Sequence, residues 1–236
     1  MLNKNIGQKS IFLIGANKNN FFDLTVLSFK KIISSECVVL SKNFNKNFIS
    51  ELKNVCSVIV YEEDICLNNK KKKLWNKILS LFQKYKKISH LKLYDPLFLN
   101  DGIEEYEFFK TNKIIAGIFS GIIEIIELLN NLEIPITDRR INSSVEFINI
   151  NKKTDFIKKK IILQEKVIIK ISTSKLLLQL LDSNKIISEN HKTNIILPIK
   201  HEEFYSKKLK GYNSQKEVIF TPTENIFILI EKNEKI

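Results

Sequence analysis

The residues of this chain that could do chemistry are few, and the rarest say the most. Of its 38 basic residues only Arg139 and Arg140 are arginines, and they are adjacent. A guanidinium presents a planar fork of N–H donors that grips a carboxylate through two parallel hydrogen bonds, which a lysine ammonium does not reproduce. In so lysine-rich a chain the pair marks a candidate anion grip. The histidines, His90, His191 and His201, are isolated from one another and give no Ser/His/Asp arrangement. Cys37, Cys56 and Cys66 form no CxxC and stand near no histidine cluster, so neither a zinc site nor a disulfide framework is expected. They read as small buried hydrophobes of a reducing compartment.

Bulk charge is less informative than it looks. The formal charge of +12, from 38 basic and 26 acidic residues, would ordinarily point to nucleic acid or an anionic membrane. Here lysine, asparagine and isoleucine abound while glycine and proline are scarce, the mark of an AT-rich coding bias. The basic balance is discounted accordingly, and the tetralysine run at 70–73 reads as a solvated face. With 236 residues, 27.6 kDa and 44% hydrophobic content, the chain can bury one large core or two small ones. Lys, Asn or Glu interrupts every long apolar stretch before the roughly 18 residues of a membrane span. Met1 to Ser10 is polar and has no signal-peptide core, so a cytoplasmic location is expected.

The elements that must position these residues follow from periodicity. Ile11–Ile14 is an apolar run ending at Gly15, a buried strand followed by a turn. Asp23-Leu-Thr starts a helix that runs to about Ser34. Strands are expected at Cys37–Leu40, Val55–Tyr61 and Ile88–Leu93, with helices over Phe48–Lys53 and along the face made by Leu74, Ile78, Leu81, Phe82 and Tyr85. A helix at Ile103–Lys110, a strand at Lys113–Gly117 and a helix at Ser120–Asn131 follow. This alternation predicts an α/β fold with a mostly parallel sheet, whose ligands gather beyond the carboxyl ends of the strands. Gly15 and Asp95 both lie just past such ends. After Pro135 a second α/β unit is expected, with strands at Ser144–Asn149, Val167–Ile171, Asn194–Ile199, Glu217–Phe220 and Ile226–Ile230 and a helix at Lys175–Leu181. No glycine- or serine-rich linker separates the halves, which places the boundary near Gly117 and the domains at 1–116 and 117–236.

Four segments in order resemble the tetrapyrrole (class III) methyltransferases, in their uroporphyrinogen-III C-methylating branch. The stretch Ile11 to Thr25 is similar to the family's V-G-A-G-P-G-D-P-x-L-L-T loop, with Gly15, Ala16, Leu24 and Thr25 matching and Asn17, Asn19 and Asn20 replacing two glycines and an aspartate. The stretch His90 to Glu105 is similar to R-L-K-G-G-D-P-F-x-F-G-R-G-G-E-E. Leu91, Lys92, Asp95, Pro96, Gly102, Glu104 and Glu105 match, while Leu93 and Tyr94 replace both glycines and Asp101 replaces an arginine. Ile115 to Ser120 resembles V-P-G-x-T-S, keeping Gly117 and Ser120. Glu133 to Phe147 resembles G-I-P-L-T-H-R followed by S-V-x-F, keeping Ile134, Pro135, Thr137, Arg139, Ser144, Val145 and Phe147. In the later part Ile171 and Ser172 stand where a cofactor-lining Met and Gly are usual, and Glu231 replaces a glycine.

The resemblance implies two α/β domains with the active site in the cleft between them, S-adenosylmethionine as cofactor, and C-methylation of uroporphyrinogen III to precorrin-2 by a homodimer. It implies cofactor contacts at Gly15, Asp95, Pro96, Gly117, Ser120, Thr137 and Ile171. Arg139 would grip the carboxylates of the substrate, and Glu104 would orient a pyrrole N–H or accept a proton. Lys92, Lys110 and Lys42 are candidates to compensate for the arginine missing at Asp101. The departures at Asn20, Leu93, Tyr94 and Asp101 leave a second reading open, a binding or dimerising member without turnover. An RNA-modifying member, motivated by the lysines, ranks last because no interleaving of aromatic and basic residues is present.

Overall fold

A computed structural model describes residues 8–18, 20–61, 68–98, 100–138, 144–150, 166–171, 191–198, 204–208 and 226–232. The chain divides into two compact units, Met1–Glu124 and Ile125–Ile236. The first is built on strands β1 (Ser10–Ala16), β2 (Cys37–Ser41), β3 (Ser57–Tyr61), β4 (Lys87–Leu93) and β5 (Ile115–Phe119), in the order β3-β2-β4-β1-β5. Each pairing in it is parallel.

Helices cover both faces of this sheet, so β1, β2, β3 and β5 read as nearly continuous apolar runs, whereas β4 carries buried Ser89, His90 and Lys92 among its apolar residues. Because side chains alternate along a strand, Leu13 and its neighbour Ile14 belong to different cores. Ile11, Leu13, Val39 and Ile88 pack against α3 (Asn68–Leu81) and α4 (Gly102–Thr111) through Leu74, Trp75, Ile78 and Phe109. Ile14, Val38, Leu40 and Leu91 pack against α1 (Val26–Ile33) and α2 (Lys46–Val55) through Ile32, Phe48 and Leu52. The expected start of α1 is realised by Thr25, whose side chain accepts the Ser28 N–H. The tetralysine run lies in the first turns of α3. Strand β1 leads through α1 to β2, and its neighbour β4 leads through α4 to β5 on the opposite face. The carboxyl ends of β1 and β4 are therefore the place where successive connections diverge, which in open α/β sheets is where ligands bind.

Helix α5 (Glu124–Asn131) starts at the last residue of the first unit and leads into the second, where it precedes β6 (Glu146–Ile150), β7 (Lys166–Ile171), β8 (His191–Pro198), β9 (Phe204–Lys208) and β10 (Ile226–Lys232). The sheet order is β6-β7-β10-β8-β9, parallel between β6 and β7 and antiparallel elsewhere. Val167 to Ile169, Ile171 and Phe227 to Ile230 form its buried centre. The helix expected at Lys175–Leu181 and the strand at Glu217–Phe220 lie outside the described residues. Strand β9 was not expected, because Phe204-Tyr-Ser-Lys-Lys carries no clear period; its partner β8 defines it.

The unit boundary falls between Glu124 and Ile125, not at Gly117. Gly117 sits inside β5, opposite Phe12 of β1, and a boundary there would cut a paired strand. No helix among the described residues is long and apolar enough to cross a membrane.

Candidate functional site

Three chain segments meet at the carboxyl ends of β1, β4 and β5. Gly15 and Gly121 lie backbone to backbone: a Cβ on Gly121 would come within 2.6 Å of the Gly15 carbonyl carbon and of the Tyr94 carbonyl oxygen. A Cβ on Gly15 would collide with the Tyr94 carbonyl oxygen and the Gly121 nitrogen. Only glycine permits this approach. The Tyr94 N–H donates to the Ala16 carbonyl at 2.8 Å, and Tyr94 has φ of 60°, the left-handed region that glycine normally fills. Holding a tyrosine there costs about 1–2 kcal/mol, so the surrounding contacts must impose the conformation.

Asp95 supplies one of those contacts. Its Oδ1 accepts the Leu97 and Phe98 N–H groups at 2.8 and 3.1 Å, and its Oδ2 accepts the Gly121 N–H at 3.2 Å. The carboxylate thereby ties the loop after β4 to the segment after β5. The Asn100 side-chain amide donates to the Leu93 carbonyl at 3.1 Å and the Asp95 carbonyl at 3.3 Å, and the Gly102 N–H to the Pro96 carbonyl at 3.0 Å. Ser120 joins through its carbonyl, which accepts the Ser28 hydroxyl at 3.3 Å. The loop after β1 is held differently. Asn17 and Asn20 each donate a side-chain N–H to the Asp23 carboxylate at 2.9 Å, and the Asn20 side chain accepts the Phe22 N–H.

Beneath the β4 loop lies a polar cluster that sequence reasoning missed. Glu105 on α4 is fully buried, and its two oxygens meet His90 Nδ1 and, at 2.9 Å, Lys92 Nζ, both on β4. Lys92 Nζ also lies 2.8 Å from Asp101 Oδ1, and Asp101 Oδ2 lies 3.3 Å from Lys71 Nζ of α3. The other His90 nitrogen, Nε2, is 3.3 Å from the Tyr61 hydroxyl at the end of β3. Burial alone would raise the pKa of Glu105, but the His90 and Lys92 charges and hydrogen bonds outweigh it and hold the carboxyl at about 2. Asp101 is likewise pushed up by burial and pulled down further by Lys92 and Lys71, to about 2. Burial works to lower the Lys92 pKa, and Glu105 and Asp101 reverse it upward. Burial raises the Tyr61 phenol. Desolvation likewise pushes the buried Cys37 thiol up to about 11, in keeping with an inert core cysteine.

Of the residues the sequence nominated, the structure gathers Gly15, Asp95, Pro96 and Ser120 at this edge. Gly117 is not at the strand end; its missing Cβ leaves room for the Phe12 and Phe119 rings, which pack edge to face. Gly121, which the sequence reading passed over, makes the backbone contact instead. Glu104 points to solvent, 61% exposed and 3.8 Å from Lys71, as an acid in a first helical turn can. Its neighbour Glu105 is the inward carboxylate. Lys92 does not compensate for the missing arginine, because two carboxylates already hold it, and Lys110 lies over the Tyr106 ring. Thr137 and Ile171 belong to the second unit. Thr137 is exposed in the segment after α5, and Ile171 is buried at the end of β7. Arg139 and Arg140 lie outside the described residues. Among the described residues no cluster of His, Cys, Asp and Glu could hold a metal ion.

No family model and no curated protein matches this sequence. Solved structures do. A uroporphyrin-III C-methyltransferase of Thermus thermophilus complexed with S-adenosyl homocysteine aligns with a TM-score of 0.72 at 14% identity, over 93% of this chain and 96% of that one. The cobalamin biosynthetic enzyme cobalt precorrin-4 methyltransferase, CbiF, aligns with a TM-score of 0.71 at 12% identity, over 94% of both chains. A putative cobalamin synthesis related protein, CobF, of Corynebacterium diphtheriae gives 0.67 at 9% identity, over 96% of this chain and 100% of that one. The chain therefore has the tetrapyrrole methylase fold over nearly its whole length.

Proposed function

We propose that this chain is a divergent tetrapyrrole methyltransferase that binds S-adenosylmethionine and C-methylates uroporphyrinogen III toward precorrin-2, working as a homodimer. The observation that carries the reading is the turn after β4. The methylase motif places glycine at the Tyr94 position, and here a tyrosine is held at the backbone conformation glycine would adopt. The loop shape is kept although the residue that makes it easy is gone.

The residues present fit the donor in this respect. The carboxyl ends of β1, β4 and β5 offer the backbone of Gly15 and Ala16, the Tyr94–Phe98 turn and Ser120, and Asp95 fixes the turn against Gly121 by accepting three backbone N–H groups. When bound, the sulfonium supplies an already activated methyl group, so little acid–base machinery is needed. The protein's task is to orient donor and acceptor and exclude water. Gly15, Asp95, Pro96 and Ser120 would hold the donor, and Arg139 would grip acceptor carboxylates. Glu104 has no assigned step, since its exposure and its lysine neighbour give it the character of a solvated acid.

A second reading has its own observation. Asp101 replaces the motif arginine and is paired inward with Lys92 and Lys71, so this loop presents no motif cation to an acidic acceptor. That favours a donor-binding protein without tetrapyrrole turnover. Anaerobic incubation of the purified chain with uroporphyrinogen III and S-adenosylmethionine, read by mass spectrometry of the oxidised product, separates the two. Two added methyl groups, abolished by Arg139→Ala, support the enzyme. Folded protein that binds S-adenosylhomocysteine and yields no methylated product supports the second reading.

A further inference from the structure

We propose that Asp101, clamped between Lys92 and Lys71, is a positioning residue that sets the loop after β4 in its ligand-binding shape. This deepens the donor-binding reading above and rests on it. Asp101 occupies the N-cap position of α4, where an aspartate ordinarily turns its carboxylate onto the first N–H groups of the helix. It makes no such bond. Its two oxygens reach instead to Lys92 on β4 and Lys71 on α3, with the side chain 13% exposed.

Among the described residues, side chains of the loop between Tyr94 and Gly102 fasten it to several parts of the fold. Asp95 ties it to Gly121 beyond β5, Asn100 to the Leu93 carbonyl at the end of β4, and Asp101 to the side chains of β4 and α3. Asp95 and Asn100 bond backbone groups close to the turn. Asp101 reaches a second layer, because Lys92 is itself fixed by Glu105, which His90 holds in turn. An opposite-charge pair held in low dielectric sets the distance between loop and sheet more firmly than a solvated one does. The clamp therefore fixes where Leu97, 54% exposed at the loop, and the strained Tyr94 stand relative to Gly15 and Ser120. Lys71 belongs to the tetralysine run and pairs with Asp101, and its neighbours Lys72 and Lys73 are exposed.

The test uses the full chain with S-adenosylhomocysteine as probe, by titration calorimetry, alongside amide hydrogen exchange. In Asp101→Asn the Leu97 and Phe98 amides should exchange about tenfold faster, and the probe's dissociation constant should rise about tenfold as preorganisation is lost. Asp101→Glu should recover most of both effects. Lys71→Gln should move both in the same direction by about threefold, and it stands in if Asp101→Asn does not fold. Unchanged affinity in Asp101→Asn and Lys71→Gln would overturn the proposal while leaving the donor-binding reading intact. So would exchange that rises uniformly across the sheet with no excess in the loop. A native chain that does not bind the probe at all would instead overturn the donor-binding reading, and the positioning role with it.

Discussion

The loops after β1 and after β4 both depart from a glycine-rich pattern, and they compensate in opposite ways. After β1, Asn17 and Asn20 converge on Asp23, six and three residues away, in bonds that are exposed or only partly buried. After β4, the compensation is long-range and buried: Asp101 reaches Lys71, thirty residues earlier, and rests on Lys92 and Glu105. A local side-chain turn can be lost with little consequence beyond its own loop. A buried charge cluster ties its loop to the stability of the whole sheet.

The largest effect should come from unpairing that cluster. Lys92→Met would leave Glu105 and Asp101 without their shared cation, and breaking a buried pair from one side costs about 3–5 kcal/mol, measurable by urea unfolding. The same cluster fixes the response to acid. The Glu105 and Asp101 carboxyls lie at about 2 in the folded chain, against ordinary values of 4.5 and 3.8. Depressed carboxyls contribute stability that is complete above their unfolded values and lost as pH falls through the folded ones. Unfolding midpoints should hold down to about pH 4.5 and then fall toward about pH 2. Glu105→Gln should flatten part of that fall, and Asn20→Ala should leave it unaltered.

Smaller effects sharpen the contrast. Gly121→Ala puts a methyl group against the Gly15 and Tyr94 backbone. The expected loss is about 1–3 kcal/mol, with weaker binding of S-adenosylhomocysteine. Asn20→Ala removes the side chain that accepts the Phe22 N–H and donates to Asp23. It should cost about 0.5–1 kcal/mol, the scale of a lost local cap. Glu104→Gln should stay within about 0.5 kcal/mol, whereas Glu105→Gln exceeds it several-fold, although the two residues are adjacent. A clear cooperative loss from Asn20→Ala would break the distinction between the loops.

The elements of the first unit were legible because each carries its own period. Ile11–Ile14 and Cys37–Leu40 are apolar runs that need two covered faces, and Leu74, Ile78 and Phe82 trace one side of a helix. Thr25 signalled its cap locally. Asp95 and Gly15 were legible as strand-end residues, and in the fold Asp95 fastens the turn. Gly121 and Glu105 were not legible. Nothing in the sequence says which of two adjacent glutamates points inward, and the importance of Gly121 depends on Gly15 lying against it from over a hundred residues away.

By itself, then, the sequence determined the alternation of strand and helix, the parallel sheet of the first unit and a resemblance to a methylase fold, since these rest on periods and motifs spanning a few residues each. Tertiary structure alone decided that Tyr94 keeps a glycine's conformation, that Lys92 is a buried counterion rather than a substrate grip, and that Asp101 faces inward. The physical reason is that solvation and pairing of a charge depend on what the fold brings within a few ångströms of it, and His90, Lys92, Asp101, Glu105 and Lys71 become neighbours only when β4, α4 and α3 have packed.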